Sequence, residues 1–419
     1  MRVSFYNAPA GNAYQLNPPL APALLAAVFQ RAGHEADAAD LEALQITPER
    51  LGQAFAAQRD RWPDAVGFTV CSFSAKGARA CVKALRDAGY AGFIALGGPH
   101  ITTLGRGAVD DLESWGADAW VLGECEGNVV EVFERQARGL IEGVAAPIEQ
   151  IPAPLWRAHR PGIGTVYTGN EPHTGYPEWI SMWARGCPHR CTFCSNVVFG
   201  GQAIRRRPVE AIHDELAELQ RAGIRSVFVY DDELVGLPGH HNEWLIAVCD
   251  AVASLGLALK TQGRCSERAN TPEVLAAMRH GGFRFVQWGV ESFSQRVLDA
   301  MRKDTTEEDI WWTLERAHAA GLNNGVFLMV ANSGETEADL AHTEESLRKA
   351  YARDLIQWAQ VTVCLPMPGT PLYAQAVAEG WYREPPNEFM NGAWMDTQTM
   401  TAKQITSWRE RLYRAASGA

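Results

Sequence analysis

The chain has 419 residues, 47% hydrophobic and 21% charged, which is enough material for globular cores and favours more than one domain. A formal charge of −11 disfavours nucleic acid as a partner, because an acidic chain repels phosphate backbones. No apolar run approaches the roughly 20 residues of a membrane span, Met1–Tyr6 enters a strand-like pattern without a signal-peptide layout, and nine cysteines in so long a chain make no dense disulfide framework, so a reducing, cytoplasmic protein with no membrane association is expected.

Short apolar runs and amphipathic stretches alternate through the first 143 residues. Strands are expected at Arg2–Tyr6, Ala65–Val70, Phe93–Leu96 and Ala119–Leu122, and helices at Ala21–Arg31, Ala75–Ala88 and Asn128–Gln136. Strand, helix and glycine turn in rotation predict an α/β fold with a doubly wound, Rossmann-like parallel sheet. Ligands on such sheets sit beyond the strand carboxyl ends, where Gly97, Gly98 and Gly123 fall. Residues 144–177 hold six prolines without periodicity and read as a linker.

A second alternating series occupies residues 178–383, with strands expected at Trp179–Ala184, Ser226–Tyr230, Ala258–Gln262, Phe285–Val290, Gly325–Met329 and Trp358–Val363. The helical patterns between them are Val209–Ala222, Asn242–Leu255, Thr271–His280, Ser294–Met301 with Thr306–Ala320, and Glu337–Ala352. Six such units predict a partial (β/α)6 barrel of the TIM type, with its site at the strand carboxyl ends. The C-terminal tail, 384–419, is too short for a domain and is expected across the barrel mouth.

Directly after the first barrel strand comes Cys187-Pro-His-Arg-Cys191-Thr-Phe-Cys194. Three thiolates within eight residues can wrap one corner of an iron–sulfur cube and leave one iron open for a ligand. Gly186 lets the backbone come close. The spacing C-x3-C-x2-C, with the aromatic Phe193 before the third cysteine, resembles the radical S-adenosylmethionine (SAM) superfamily. The resemblance implies a 4Fe–4S cluster held by Cys187, Cys191 and Cys194, with SAM on the unique iron. A structural zinc site that adds His189 is the alternative from the residues alone.

Further matches fall at successive strand ends. Asp231-Asp232-Glu233, Arg264 with Ser266, Gly289-Val290-Glu291-Ser292, Asn332-Ser333-Gly334-Glu335-Thr336 and Leu365–Pro371 follow strands two to six. By resemblance, Phe193, Asp231, Asp232, Arg264, Ser266, Glu291 and Ser292 contact SAM. In the first half, Asn17-Pro18-Pro19-Leu20, Ala32–Glu35, Asp40-Leu41, Gly97–His100 and Gly123–Gly127 are similar to the cobalamin-binding domain of the class B methyltransferase-like subgroup. Pro19, Ser72, Ser74, Gly97, Gly98, Gly123, Glu124 and Glu126 would then face the corrin. The Asp-x-His-x-x-Gly lower-ligand signature is absent, so a vestigial domain is the alternative. Arg205-Arg206-Arg207 reads equally as an anion site or a basic loop, and Trp311-Trp312, Trp381 and Trp394 as pocket walls or packing.

The resemblance implies a radical SAM enzyme with 4Fe–4S, SAM and cobalamin as cofactors, a small-molecule substrate and an electron donor such as flavodoxin or ferredoxin. Methyl transfer to an unactivated carbon or phosphorus is the expected reaction. The alternatives are transfer of the 3-amino-3-carboxypropyl group of SAM to a heteroatom such as arsenic, and a zinc-stabilised, non-catalytic corrinoid-binding module. No catalytic residue is assigned.

Overall fold

The computed structural model describes residues 1–10, 18–105, 112–160, 178–199, 201, 203–383 and 395–417. The chain divides into two compact units, Met1–Asn170 with Tyr176–Ser181, and Glu171–Gly175 with Met182–Ala419. No helix among the described residues is long and apolar enough to cross a membrane.

The first unit holds strands β1 Arg2–Asn7, β2 Glu35–Asp40, β3 Ala65–Thr69, β4 Phe93–Gly97, β5 Ala119–Leu122, β6 Gly139–Glu142 and β7 His159–Arg160. Their order is β6-β5-β4-β3-β1-β2-β7, and every pairing is parallel. Side chains alternate strictly across this sheet, as the two-residue strand repeat requires. Val3, Phe5, Ala65, Phe93, Ala95, Ala119 and Val121 face one core, with Phe29 of helix Leu20–Arg31 and Phe133 of helix Val129–Glu134. Tyr6, Val66, Phe68, Ile94, Leu96, Trp120 and Leu122 face the other, with Phe55 of helix Pro48–Ala57 and Leu85 of helix Ala75–Asp87. Both faces are covered, so the central strands β3, β4 and β5 are apolar nearly throughout. The chain reverses its direction of winding at β1, which lies between β2 and β3. The carboxyl ends of β1 and β3 therefore form the topological switch point where such sheets bind ligands.

Strands β2, β6 and β7 and helix Pro48–Ala57 are absent from the sequence expectations. β2 reads Glu-Ala-Asp-Ala-Ala-Asp, without the branched and aromatic residues that mark a strand, and it forms because β1 offers it a parallel partner. The expected linker also differs at its start. Ile148 and Ile151 bury against Leu24, the Leu155 N–H donates to the Ala23 carbonyl at 2.9 Å, and β7 pairs with β2. Residues 144–160 thus belong to the first unit, and 161–177 lie outside the described residues.

The second sheet has six strands, Glu178–Ser181, Ser226–Val229, Ala258–Arg264, Phe283–Glu291, Asn323–Val330 and Trp358–Val363, each beside its neighbour in sequence. Helices Val209–Arg221, His240–Val252, Pro272–His280, Gln295–Ala300 with Glu307–Ala319, and Glu337–Ala352 connect them. Three helix starts use a Thr-Pro pair, in which the threonine hydroxyl accepts the N–H three residues on and the proline occupies a position whose N–H is not needed: Thr47-Pro48, Thr271-Pro272 and Thr370-Pro371. Thr306 with Asp309 and Thr336 with Asp339 form capping boxes.

Of the expected C-terminal tail, the described helix packs on the flank of the second unit, and Thr399 Oγ1 before it donates to the Glu335 carbonyl in the turn after the fifth strand. Helix Ala402–Ser417 buries Ile405, Trp408, Leu412, Ala415 and Ala416 along helix Glu337–Ala352 and the last strand. Arg409 Nε donates to the Val361 carbonyl at 3.0 Å. This amphipathic helix covers the sheet's open flank, where unpaired backbone would otherwise face water. Segment 384–394 lies outside the described residues. Trp408→Ala should cost about 3–5 kcal/mol of stability and promote aggregation. Thermal unfolding and light scattering check this, and an unchanged midpoint with a monodisperse solution would contradict the assigned role.

Candidate functional site

Carboxylates of the second barrel strand's end fasten the cysteine loop. Asp231, 6% exposed, accepts the N–H groups of Trp183 at 2.7 Å and Ala184 at 2.8 Å. Asp232 accepts the Gly186 N–H at 2.9 Å and Asn196 Nδ2 at 3.1 Å. The two acids therefore clamp both ends of the loop. Gly186 has φ +99°, and a Cβ there would lie 2.4 Å from the Ala203 carbonyl oxygen, so only glycine fits. The loop is tied further by Cys187 N–H to Gly201 O at 3.3 Å, Thr192 N–H to Met301 O at 2.9 Å and Leu372 N–H to Thr192 O at 3.0 Å.

Cys187, Cys191 and Cys194 are free thiols, Cys191 buried and the others half-buried. Burial pushes the Cys187 thiol up to about 12, with nearby Glu233 adding to the effect, and burial also raises Cys194. Holding metal requires thiolates, so the surrounding charge matters. Two buried ion pairs supply it. Arg264 Nη2 donates to Cys191 Sγ at 3.2 Å, and its Nε lies 3.7 Å from Glu233 Oε2. Lys303 Nζ donates to Glu291 Oε1 at 2.8 Å and stands 5.9 Å from the Phe193 ring centre. Glu291 sits at φ +63°, where the register between the fourth and fifth strands shifts.

Glu233 Oε1, Arg264 Nε and His189 Nε2 are buried without a hydrogen-bond partner in the structure. A carboxylate oxygen and a guanidinium nitrogen left in this way suit the amino and carboxylate groups of an amino acid. Burial raises the Glu233 carboxyl to about 7 against the pull of Arg264 and Lys303. Each thiolate of a cubic cluster binds a different iron, whereas zinc needs its ligands around one point. Among the described residues no three His, Cys, Asp or Glu side chains are grouped to hold a single ion. His189 is pushed down to about 4 by burial, and its Nδ1 is 3.9 Å from Asp304. The thiol triad with Gly186 and Arg264 fits the cluster.

Several expected SAM contacts have other partners. Asp231 and Asp232 hold backbone, as above. Ser292 Oγ pairs with Thr343 Oγ1 at 3.3 Å and accepts the Ser294 N–H at 3.1 Å. Ser266 donates its N–H to Thr313 Oγ1 at 3.2 Å. Arg264 and Glu291 do reach the site, and Phe193 lies within the loop itself. Glu233 stands in the quoted acidic motif but not among the expected contacts. Its signal is alternation: past the strand end Asp231 and Glu233 are buried, while Asp232 between them is exposed. Arg207 is no anion site, since it pairs with buried Glu215 at 2.6 Å, and Arg206 Nε reaches His241 Nδ1 at 3.0 Å. Trp311 packs on Phe293 and Arg353, Trp312 on Arg316, and Trp381 donates to Glu379, while Trp394 lies outside the described residues.

In the first unit the expected corrin residues other than Pro19 follow or end strands β3, β4 and β5. Ser72 Oγ lies 3.2 Å from His100 Nδ1. Ser74 instead closes a cap with Cys71, accepting its N–H at 3.1 Å and donating to its carbonyl at 3.2 Å, and is 1% exposed. Gly98 has φ +102°, and a Cβ would come within 2.9 Å of the Val70 backbone, so packing alone demands glycine there. Gly97 is open, with only the Val121 carbonyl oxygen at 3.5 Å from such a Cβ. Gly123, at φ +71°, donates its N–H to Thr102 Oγ1 at 2.9 Å, and Glu124 and Glu126 follow it half-buried. Pro19 is buried at the start of helix Leu20–Arg31. A small, open rim at three strand ends fits a flat ring.

Two outcomes follow from this geometry. Asp231→Ala strands two buried N–H groups, each costing about 1–3 kcal/mol, and should at least halve the iron retained after anaerobic reconstitution. Iron and sulfide per chain decide this, and wild-type content would contradict the clamp. The second concerns Glu335, fully buried in the turn after the fifth strand and raised by burial to about 7 from an ordinary 4.5. A raised carboxyl favours the folded state while protonated, so its contribution is complete below 4.5 and lost as pH rises through 7. Glu335→Gln should therefore be more stable than wild type at pH 8, by up to about 3 kcal/mol, and match it near pH 4.5. Denaturation at both pH values checks the sign.

Residues 182–347 match the radical SAM superfamily and residues 6–133 match the B12 binding domain. The chain is 26% identical to an uncharacterized methyltransferase of Pyrococcus horikoshii over 86% of this chain and 79% of the relative. It is 27% identical to the anaerobic magnesium-protoporphyrin IX monomethyl ester cyclase of Cereibacter sphaeroides over 85% of this chain, but spans only 60% of that enzyme. In fold it is similar to the radical SAM methyltransferase TsrM of Kitasatospora setae, with a TM-score of 0.68 at 16% identity, covering 99% of this chain and 84% of that one. The cobalamin-dependent SAM radical enzyme OxsB gives 0.72 at 15%, covering 98% and 66%. This chain is an enzyme that joins a B12 binding domain to a radical SAM domain, with a 4Fe–4S cluster, SAM and cobalamin as its cofactors.

Proposed function

We propose that the chain is a cobalamin-dependent methyltransferase acting on an unactivated carbon or phosphorus of a small biosynthetic substrate. The observation that carries the reading is a clamped loop of three free thiols in a chain whose first unit matches the B12 binding domain. Two relatives named as methylating enzymes support it: the Pyrococcus methyltransferase, and the hopanoid C-3 methylase of Methylococcus capsulatus, 24% identical over 87% of this chain and 68% of its own length.

When bound, the cluster supplies one electron for cleaving SAM, and cobalamin supplies a methyl carrier. Cys187, Cys191 and Cys194 would hold the cluster. Asp231 and Asp232 keep their loop in place, and Phe193 lies within it. Glu233 and Arg264 offer their unmatched atoms to the amino and carboxylate groups of SAM. Ser72, Gly97 and Gly123 form the rim on which the corrin rests. A flavodoxin or ferredoxin in the cytoplasm would be the electron donor.

Anaerobic incubation with SAM, reductant and candidate substrates tests the reading. Deoxyadenosine together with S-adenosylhomocysteine is expected. Deoxyadenosine alone would indicate other radical chemistry, and methylthioadenosine would indicate aminocarboxypropyl transfer. Ala at Cys187, Cys191 or Cys194 should remove most of the iron and abolish SAM cleavage, whereas Ala at Cys249, buried in helix His240–Val252, should leave iron unchanged. Gly97→Leu should block cobalt uptake at normal iron content, because a Cβ there would meet only the Val121 carbonyl oxygen, at 3.5 Å, and the fold can carry a larger side chain at this strand end. Metal analysis after growth with cobalamin reads both elements.

A further inference from the structure

We infer that Arg264 is a positioning residue for the cluster: its guanidinium donates to the Cys191 sulfur and thereby makes the bound cluster easier to reduce. The inference rests on the radical SAM reading of the thiol triad. Arg264 is 5% exposed at the end of the third barrel strand, and Nη2 reaches Cys191 Sγ at 3.2 Å. Its backbone is held on both sides, the N–H donating to the Val235 carbonyl at 2.8 Å and the carbonyl accepting Asn270 Nδ2 at 2.8 Å. Gly236 leaves room for the side chain, since a Cβ there would stand 2.8 Å from Arg264 Cβ. Nη1 rests on Thr305 Oγ1 at 3.4 Å. The fork is therefore fixed on the sulfur.

Charge separates this residue from Lys303, the cation of the neighbouring ion pair. Lys303 meets its carboxylate at 2.8 Å and is locally neutralised. Arg264 lies closer to the sulfur, at 3.2 Å, than to the Glu233 carboxylate, at 3.7 Å. Its positive charge therefore falls mainly on the ligand. One-electron reduction adds negative charge to cluster and sulfurs, and hydrogen bonds to the sulfurs are an established control of cluster potential. A cation in a buried site acts on that charge with little screening. Glu233 works in the opposite direction, so the pair sets a balance.

The test is a redox titration of the reconstituted full-length chain without SAM, following the electron paramagnetic resonance of the reduced cluster. Iron, sulfide and the cluster signal of the wild type test the underlying reading, and their absence would sink that reading rather than this inference alone. In cluster-loaded protein, Arg264→Gln should move the midpoint to a more negative potential. The reduced-to-oxidised ratio at the wild-type midpoint should fall about tenfold, the worth of one charge-assisted hydrogen bond. Arg264→Lys should fall between the two, and Glu233→Gln should move the midpoint the opposite way. Wild-type midpoints at full iron content in Arg264→Gln would overturn the inference. If Arg264→Gln does not retain the cluster, unchanged midpoints in Arg264→Lys and Glu233→Gln would overturn it equally.

Discussion

A loop that must present three sulfurs outward has no sheet or helix to pair its own backbone. Something else must hold its N–H groups, and here two adjacent carboxylates do so. Asp231 takes two donors just before the loop, and Asp232 takes one donor within it and one side chain beyond it. Neighbouring residues on an extended segment point in opposite directions, so one acid is buried under the loop while the other reaches around its exposed side. The rest of the site depends on this. Gly186 can approach Ala203, Thr192 can meet Met301, and Cys191 can come within reach of Arg264 only if the loop is pinned at its base.

The second layer is electrostatic. Glu233, Arg264, Glu291 and Lys303 lie near the thiols, all below 10% exposed, two negative and two positive. Single charges at such depth are costly, and pairing reduces that cost. The pairs also explain why Glu291 tolerates a left-handed backbone at the end of its strand, since its carboxylate is tied to Lys303. A Cβ on nearby Gly289 would stand 2.9 Å from Lys303 Nζ, so the absence of a side chain there preserves the pair.

Much of this was legible in the residues. Six strands of the second sheet follow from apolar runs with glycine or acidic ends, and the last, Trp358–Val363, lies where expected to the residue. The cysteine spacing located the loop. Side-chain direction was less legible. Asp231 and Asp232 read as ligand contacts by resemblance, but a motif's place after a strand does not reveal whether a carboxylate meets a cofactor or a backbone N–H. Ser74 and Ser292 carry the same ambiguity, as hydroxyls near a strand end serve caps as readily as ligands. Strand β2 escaped because its partner, rather than its own composition, makes it a strand.

The flank covered by helix Ala402–Ser417 has a consequence for how the chain is made. The six strands of the second sheet lie side by side in the order in which they are synthesised, so each can add to the one before it as it emerges. The strand Trp358–Val363 leaves the ribosome well ahead of the helix that covers it. In that interval its outer backbone, including the Val361 carbonyl later taken by Arg409, is open to another nascent chain. The time between these two elements, rather than the stability of the finished barrel, sets the exposure to misassembly during synthesis.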